Sequence, residues 1–304
     1  VSLANFGMDA AFVTLLPKND VGEACIRELR GFGVDTSRIL RADGRMGIYF
    51  LEGGACQRPS KVIYDRADSC IARAKPGDVD WDRVFDGATW FHISGITPAI
   101  SRGAADLSLE AVRAARTKGV TVSCDLNYRK NLWKYGAGAV EIMTELTKSV
   151  DVAIANEEDF QKSLGLKAES AASAEEGEID IGQYREMAAL AMDRFPNLST
   201  VAITLRESRS ANHNDWSACI WDGKNFHRSR RYAITDIVDR VGGGDSFSAG
   251  LIYGLNRCED HREALEFAVA ASCLKHTIGG DYNRVSVAEV QSLMKGSGSG
   301  RVQR

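Results

Sequence analysis

From residue 90 onward, short runs rich in β-branched and aromatic residues alternate with runs whose apolar residues fall at helical spacing, and this alternation restricts the fold more than any other feature. Residues 90–93, 120–126, 152–155 and 201–205 read as strands, and residues 107–118, 140–148 and 184–195 read as helices between them. Residues 11–16 and 21–32 begin the chain with another strand and helix. Strands joined by helices of this length predict an α/β fold with a mainly parallel sheet covered on both faces, whose ligands sit at the carboxyl ends of the strands.

Two segments break the rhythm. Residues 45–66 hold two alternating strands, 47–51 and 61–66, with Gly53-Gly54 as a turn and no helix between them. This is the pattern of a β-hairpin outside the main sheet, a candidate lid. A second antiparallel pair is predicted at 217–221 and 224–231, turning at Asp222-Gly223.

At 304 residues and 44% hydrophobic content, the chain can build the core of one large domain over 1–304. Its formal charge of −3 supplies no field that would gather nucleic acid or an anionic membrane, so any anion must be bound locally. No apolar run reaches the roughly 18–20 residues of a spanning helix. The seven cysteines lack a CxxC pair, which fits reduced thiols in a cytoplasmic protein. The acidic run 169–180 reads as a solvated loop, and 296–304 as a flexible tail. Residues 1–7 read as the last turns of a helix ending at Gly7, so the chain is expected to be truncated at its N-terminus.

The chemistry concentrates in Asp239-Arg240-Val241-Gly242-Gly243-Gly244-Asp245, followed by Phe247, Leu251, Ile252 and Leu255 at helical spacing. Glycines let the main chain approach a ligand, and the free N–H groups and dipole of a helix N-terminus favour an anion there. Asp245, at that N-terminus, is either a helix cap or a base held beside a phosphate. Three further polar clusters follow strands: Asp125-Leu126-Asn127-Tyr128-Arg129, Asn156-Glu157-Glu158-Asp159, and Arg206-Glu207-Ser208.

The 239–245 segment resembles the C-terminal signature of the ribokinase-like sugar kinases, Asp-Thr-Val/Thr-Gly-Ala-Gly-Asp, with Arg240 and Gly243 as departures. The resemblance runs from Gly7 and Pro17-Lys18-Asn19-Asp20-Val21-Gly22 to Lys275-His276-Thr277. Arg58-Pro59-Ser60, Tyr64-Asp65-Arg66 and the Asp125–Arg129 motif make it most similar to the 2-keto-3-deoxygluconate kinases within that family.

The resemblance implies a three-layer αβα sandwich with a β-strand lid, and ATP-dependent phosphorylation of a primary hydroxyl on a 2-keto-3-deoxy sugar acid. It makes Asp245 the base and the amides of Gly242, Gly243 and Gly244 the anion hole. Tyr49, Tyr64, Arg66, Arg129 and Asp281 contact the substrate. Asn127, Tyr128, Arg129, Thr204, Leu205, Arg206 and Ser208 join the glycines in holding ATP, although Arg206 and Ser208 replace family glycines. Asn156 and Asp159 take the place of the family's Asn-x-x-Glu, linked to Mg2+ through water. Asp239 ties the loop or holds a monovalent cation. A homo-oligomer formed through the lid is also expected, and an N-terminally shortened chain is expected to be weakly active. There is no GxxxxGK[ST], so a P-loop does not cradle the phosphates. The rival readings are a kinase for a neutral sugar or nucleoside and a non-catalytic sugar-binding protein on the same fold. A neutral substrate leaves Arg66 and Arg129 without an anion, and a mere binder does not need Asp245.

Overall fold

The computed structural model describes residues 1–168 and 181–296, so the readings for 169–180 and 297–304 lie outside the described residues. The chain opens with α1 (Ser2–Asn5), β1 (Leu15–Pro17), α2 (Asp20–Gly31) and β2 (Leu40–Ala42), then the hairpin β3 (Ile48–Glu52) and β4 (Lys61–Asp65). There follow α3 (Trp81–Val84), β5 (Trp90–Ser94), α4 (Ile96–Ile100), α5 (Arg102–Thr117), β6 (Thr121–Asp125), α6 (Ala139–Thr147), β7 (Val152–Ala155) and α7 (Glu157–Leu164). The described C-terminal part holds α8 (Ile181–Arg194), β8 (Thr200–Ser208), β9 (Asn214–Trp221), β10 (Phe226–Arg228), β11 (Tyr232–Ile234), α9 (Gly243–Arg257), α10 (His261–Lys275) and α11 (Val287–Met294).

The main sheet runs β10-β9-β8-β7-β6-β5, with β11 also on β9. Strands β5 to β8 are parallel, and β9 turns back antiparallel on β8. Period-two alternation divides the strand side chains between two apolar layers. Val122, Cys124, Ala153, Ala155, Val201 and Ile203 pack with Leu107, Val112, Met143, Leu146, Phe160 and Met187 from α5 to α8. Val152, Ile154, Ala202, Ala218 and Ile220 pack with Phe247, Leu251, Leu265 and Val269 from α9 and α10. The result is the expected helix–sheet–helix sandwich.

Three differences from the sequence reading have local causes. The 11–16 strand shortens to β1, which pairs in parallel with β2 in a small separate sheet. The 224–231 strand shortens to β10, because the Ser229 hydroxyl, rather than a carbonyl, accepts the Ala218 N–H at 3.0 Å and interrupts the ladder, and pairing with β9 resumes only beyond the expected strand, at β11. Helix α10 has no helical pattern to read in the sequence because it is buried nearly all round, from Ala264 through Ser272 on most faces, and so carries no polar stripe.

The hairpin β3–β4 forms its own two-stranded sheet, as expected of a lid. An isolated hairpin is marginal in water, and here both ends are tied down. At its root Arg45 pairs with Asp65, and at its tip the Cys56 N–H donates to Asn212 Oδ1 at 2.7 Å.

Candidate active site

The carboxyl ends of β5 to β8, the lid and the start of α9 enclose a cleft of about 1020 Å³. Parallel pairing puts Ser94, Asp125, Asn156 and Thr204 at the same edge of the sheet, which is why clusters distant in sequence meet. Gly242 caps α9 with φ +77°, and a side chain there would meet the Asp281 carbonyl at 2.0 Å. Only glycine fits the position.

Asp245 lies in the first turn of α9 and lines the cleft, open to it on one side and walled by protein on the others. That partial burial raises its pKa; Arg129 pulls it down and Asp281 adds to the rise. The main-chain N–H groups of Gly242, Gly244 and Asp245 have no acceptor among the described residues, as the start of a helix leaves them. One expectation changes here. The Gly243 N–H is taken by the Arg240 carbonyl at 3.2 Å, because the turn into α9 closes on itself at that residue.

Four guanidinium groups line the same cleft: Arg66, Arg129, Arg206 and Arg240. Arg240 is anchored to the Ala211 carbonyl at 2.5 Å, and Arg129 Nη1 to the Tyr128 carbonyl at 2.8 Å. Burial lowers the pKa of Arg206, and Arg240 and Arg129 lower it further by repulsion. Arg66 extends from the end of β4 over the rings of Tyr64 and Tyr49, at 5.0 and 6.0 Å from their centroids. Burial lowers its pKa too, with Arg129 opposing its charge. Clustered cations of which none forms a salt bridge among the described residues are a site prepared for anions.

Tyr49 and Asp281, both expected to contact substrate, bind each other: the Tyr49 hydroxyl donates to Asp281 Oδ2 at 2.5 Å. Burial and this bond push the Tyr49 phenol well up. The contact latches the lid to the turn after α10. Asp239 has a tying role, since Oδ1 accepts from Val241 N at 2.9 Å and Oδ2 from Gly280 N at 3.0 Å.

Geometry adds to one further expectation and corrects another. Asn156 and Asp159 form a reciprocal capping box on α7, and Asp159 Oδ1 also accepts the Tyr128 N–H at 2.8 Å. Both Asp159 oxygens accept main-chain N–H groups, so the pair organises the 127–129 loop, and the magnesium link expected of it, through water, needs no direct ligation. Ser208 does not line the cleft, because β8 continues as a ladder against β9 as far as Ser208 opposite Asn214. Asn127, Tyr128, Thr204, Leu205 and Arg206 do line it. Asn127 takes the left-handed conformation, φ +40°, and its Nδ2 donates to Ser94 Oγ at 3.1 Å.

The sequence reading missed Asp125 as a site residue. It is buried at the end of β6, facing Gly244, and burial, then Asp159 and Asp245, push its carboxyl well up. A strand-end carboxylate was the available signal, but its neighbours come from two other elements. Trp216 and Arg240 were likewise missed as lining residues.

The pfkB family carbohydrate kinase model matches residues 1–286. The chain belongs to the pfkB family of carbohydrate kinases. A solved structure of 2-dehydro-3-deoxygluconokinase from Thermotoga maritima is 49% identical with a TM-score of 0.89, covering 97% of this chain and 87% of its own. The 2-dehydro-3-deoxygalactonokinase of Haloferax volcanii is 32% identical over 303 residues, 99% of this chain and 86% of the relative. The 2-dehydro-3-deoxygluconokinase of Thermoproteus tenax is 27% identical over 95% of this chain and 81% of its own length. As a pfkB kinase the chain is a phosphotransferase on a sugar-type alcohol, and its ribokinase-like fold, with the mostly parallel sheet and hairpin lid, is that of the family. Among the described residues, no helix is long and apolar enough to cross a membrane.

Proposed function

We propose that the chain transfers the γ-phosphoryl group of ATP to the primary hydroxyl of a 2-keto-3-deoxy sugar acid, with 2-keto-3-deoxygluconate as the preferred substrate. The observation that carries this reading is Arg66: a half-buried guanidinium lying over two lid tyrosines, in the same cleft as Asp245, with no carboxylate partner among the described residues. A sugar acid supplies the missing anion, and the guanidinium fork matches a planar carboxylate. The identity to the Thermotoga maritima enzyme supports the gluconate isomer.

In this reading Asp245 takes the proton from the hydroxyl as its oxygen bonds to the γ-phosphorus, and the bond from that phosphorus to the β–γ bridging oxygen breaks to release ADP. The N–H groups of Gly242, Gly244 and Asp245 donate to the transferring oxygens, and Arg129, Arg206 and Arg240 balance the polyphosphate charge. Asn127, Tyr128, Thr204 and Leu205 complete the nucleotide wall, and Tyr49, Tyr64 and Asp281 the sugar wall, once substrate displaces the latch.

Among the described residues, no group of three or more acidic, histidine or cysteine side chains converges to hold a metal on its own. The donor set fits magnesium that arrives on the nucleotide phosphates, which Asp125 and Glu158 of the cleft lining would hold, with Asn156 and Asp159 linked to it through water. Magnesium bound there neutralises phosphate charge. The outer face of the lid exposes Ile48, Phe50 and Ile63, and we assign it to contact with a second copy of the chain. The free thiols Cys25, Cys56, Cys70, Cys124, Cys219, Cys258 and Cys273 fit a reducing, cytoplasmic setting.

The test is a panel of 2-keto-3-deoxygluconate, 2-keto-3-deoxygalactonate, fructose and ribose with ATP and magnesium, on the parent protein and Arg66→Met. The acids are expected to be turned over and the neutral sugars not. The variant is expected to raise KM for the acid about 10²-fold, the scale of a charge-assisted hydrogen-bonded pair, and to leave KM for ATP unchanged. Preferred turnover of fructose or ribose, or no effect of Arg66→Met on the acid, would remove the sugar-acid assignment.

A further inference from the structure

Helix α10 ends at Lys275, whose side chain has no exposed surface. Its Nζ donates to the Ile278 carbonyl at 3.0 Å and makes a longer, 3.5 Å contact with the Asp239 carbonyl. Both partners are main-chain oxygens. The Lys275 Cε lies 3.4 Å from the position a Gly242 side chain would take, so its stem passes directly under the glycine loop. The surrounding ties are dense: Asp239 bridges Val241 N and Gly280 N, the His276 carbonyl accepts the Val238 N–H at 2.9 Å, and Ser272 Oγ donates to the Gly243 carbonyl at 2.8 Å.

A buried ammonium held by carbonyl dipoles is costly unless something repays it. A methionine would fill the same space with no desolvation cost. The negative end of the α10 dipole and the charges of Asp239 and Asp281 favour the cation at this place, although burial lowers its pKa. On the other side of Gly242 stand the free amides at the start of α9, where the proposed reaction gathers negative charge. Carbonyl oxygens converging on a cation beneath an anion site also describe a monovalent-cation site, and here the ammonium already occupies that position.

We propose that Lys275 is the built-in cation of the glycine loop, a positioning residue that holds Gly242–Asp245 in the phosphate-binding conformation and makes a bound monovalent cation unnecessary at this loop. The proposal rests on the reading of that loop as the phosphoryl site. It predicts a kinase whose rate is indifferent to potassium.

The experiment compares the parent protein, Lys275→Met and Lys275→Ala in KCl, NH4Cl and choline chloride at constant ionic strength, with thermal unfolding measured for each. The parent is expected to show equal kcat in all three salts. Lys275→Met, folded at the assay temperature, is expected to lose kcat about 10²-fold, the scale of losing one charge-stabilising donor, with KM for the sugar acid unchanged. Lys275→Ala, which opens room for an ion, is expected to regain activity with K+ or NH4+ and none with choline. A strut that merely joins two loops would lower unfolding temperature without this salt-specific rescue. Severalfold activation of the parent by K+ over choline, or unchanged kcat in folded Lys275→Met, overturns the proposal; if Lys275→Met fails to fold, the parent's salt series decides. Asp245→Asn run in parallel separates the two readings, because turnover retained by that variant removes the phosphoryl-site reading itself, whatever Lys275 does.

Discussion

Asp245 sits between two opposing influences, the Arg129 guanidinium that lowers its pKa and the Asp281 carboxylate that raises it above the level set by burial. A base works in its unprotonated form, so activity is lost as pH falls through that folded-state pKa, which lies above the ordinary carboxylate value. Arg129→Gln removes the favourable partner and is expected to move the acid limb of kcat/KM to higher pH, besides lowering its plateau. Asp281→Asn removes the repulsion and is expected to move the same limb to lower pH. Rate profiles of the two variants that shift in the same direction, or not at all, would show that another group sets the limb. Asp245 was legible in the sequence because a glycine run leading into a carboxylate and a helical apolar pattern is a local signal. The pair that tunes it was not, since Arg129 and Asp281 arrive from other elements.

Helices α9 and α10 frame the loop that carries the chemistry, one by its start and the other by its end. They approach closely because Gly250 and Gly254 of α9 face Ala268 and Ala264 of α10; a side chain at Gly254 would come within 2.6 Å of the Ala264 Cα. In an exposed helix Gly→Ala gains up to about 1 kcal/mol. At Gly254 the backbone contact outweighs that gain, and Gly254→Ala is expected to destabilise the protein by about 1–3 kcal/mol of overpacking strain. Chemical denaturation checks the sign, and a stabilised variant would show that the two helices separate without cost. The α9 apolar spacing was readable in advance, whereas α10, buried on most faces, has no stripe to read. The Asn156–Asp159 box shows the converse: an asparagine followed by three acidic residues is a local signal of a helix start, whereas its second job, holding the Tyr128 N–H, depends on β6 and β7 lying side by side.

Across the whole molecule, the lid closes the cleft through three separate holds: Arg45–Asp65 at its root, Tyr49–Asp281 midway and Cys56–Asn212 at its tip. Its inner face is committed to the cleft through Tyr49, Leu51, Val62 and Tyr64, leaving Ile48, Phe50 and Ile63 outward. Phe50→Asp places a charge in the middle of that outer face. If the lid joins two copies, the variant is expected to shift light-scattering mass after gel filtration from dimer to monomer; a parent protein that runs as a monomer rules the contact out. The hairpin was visible in the sequence from its alternation and glycine turn, but which of its faces meets the cleft follows only from how the strands cross the sheet edge.

Local patterns alone determined the alternation of strands and helices from β5 to β8, its parallel sheet, the hairpin and the glycine loop before α9, because each rests on periodicity or on backbone demands within a few residues. Only the tertiary structure decided that the Gly243 N–H is already taken, that Ser208 leaves the cleft, that Asp159 serves a cap, and that Lys275 lies beneath Gly242. Those outcomes depend on which donor finds which acceptor across distant segments, and hydrogen-bond partners and burial are properties of the packed molecule.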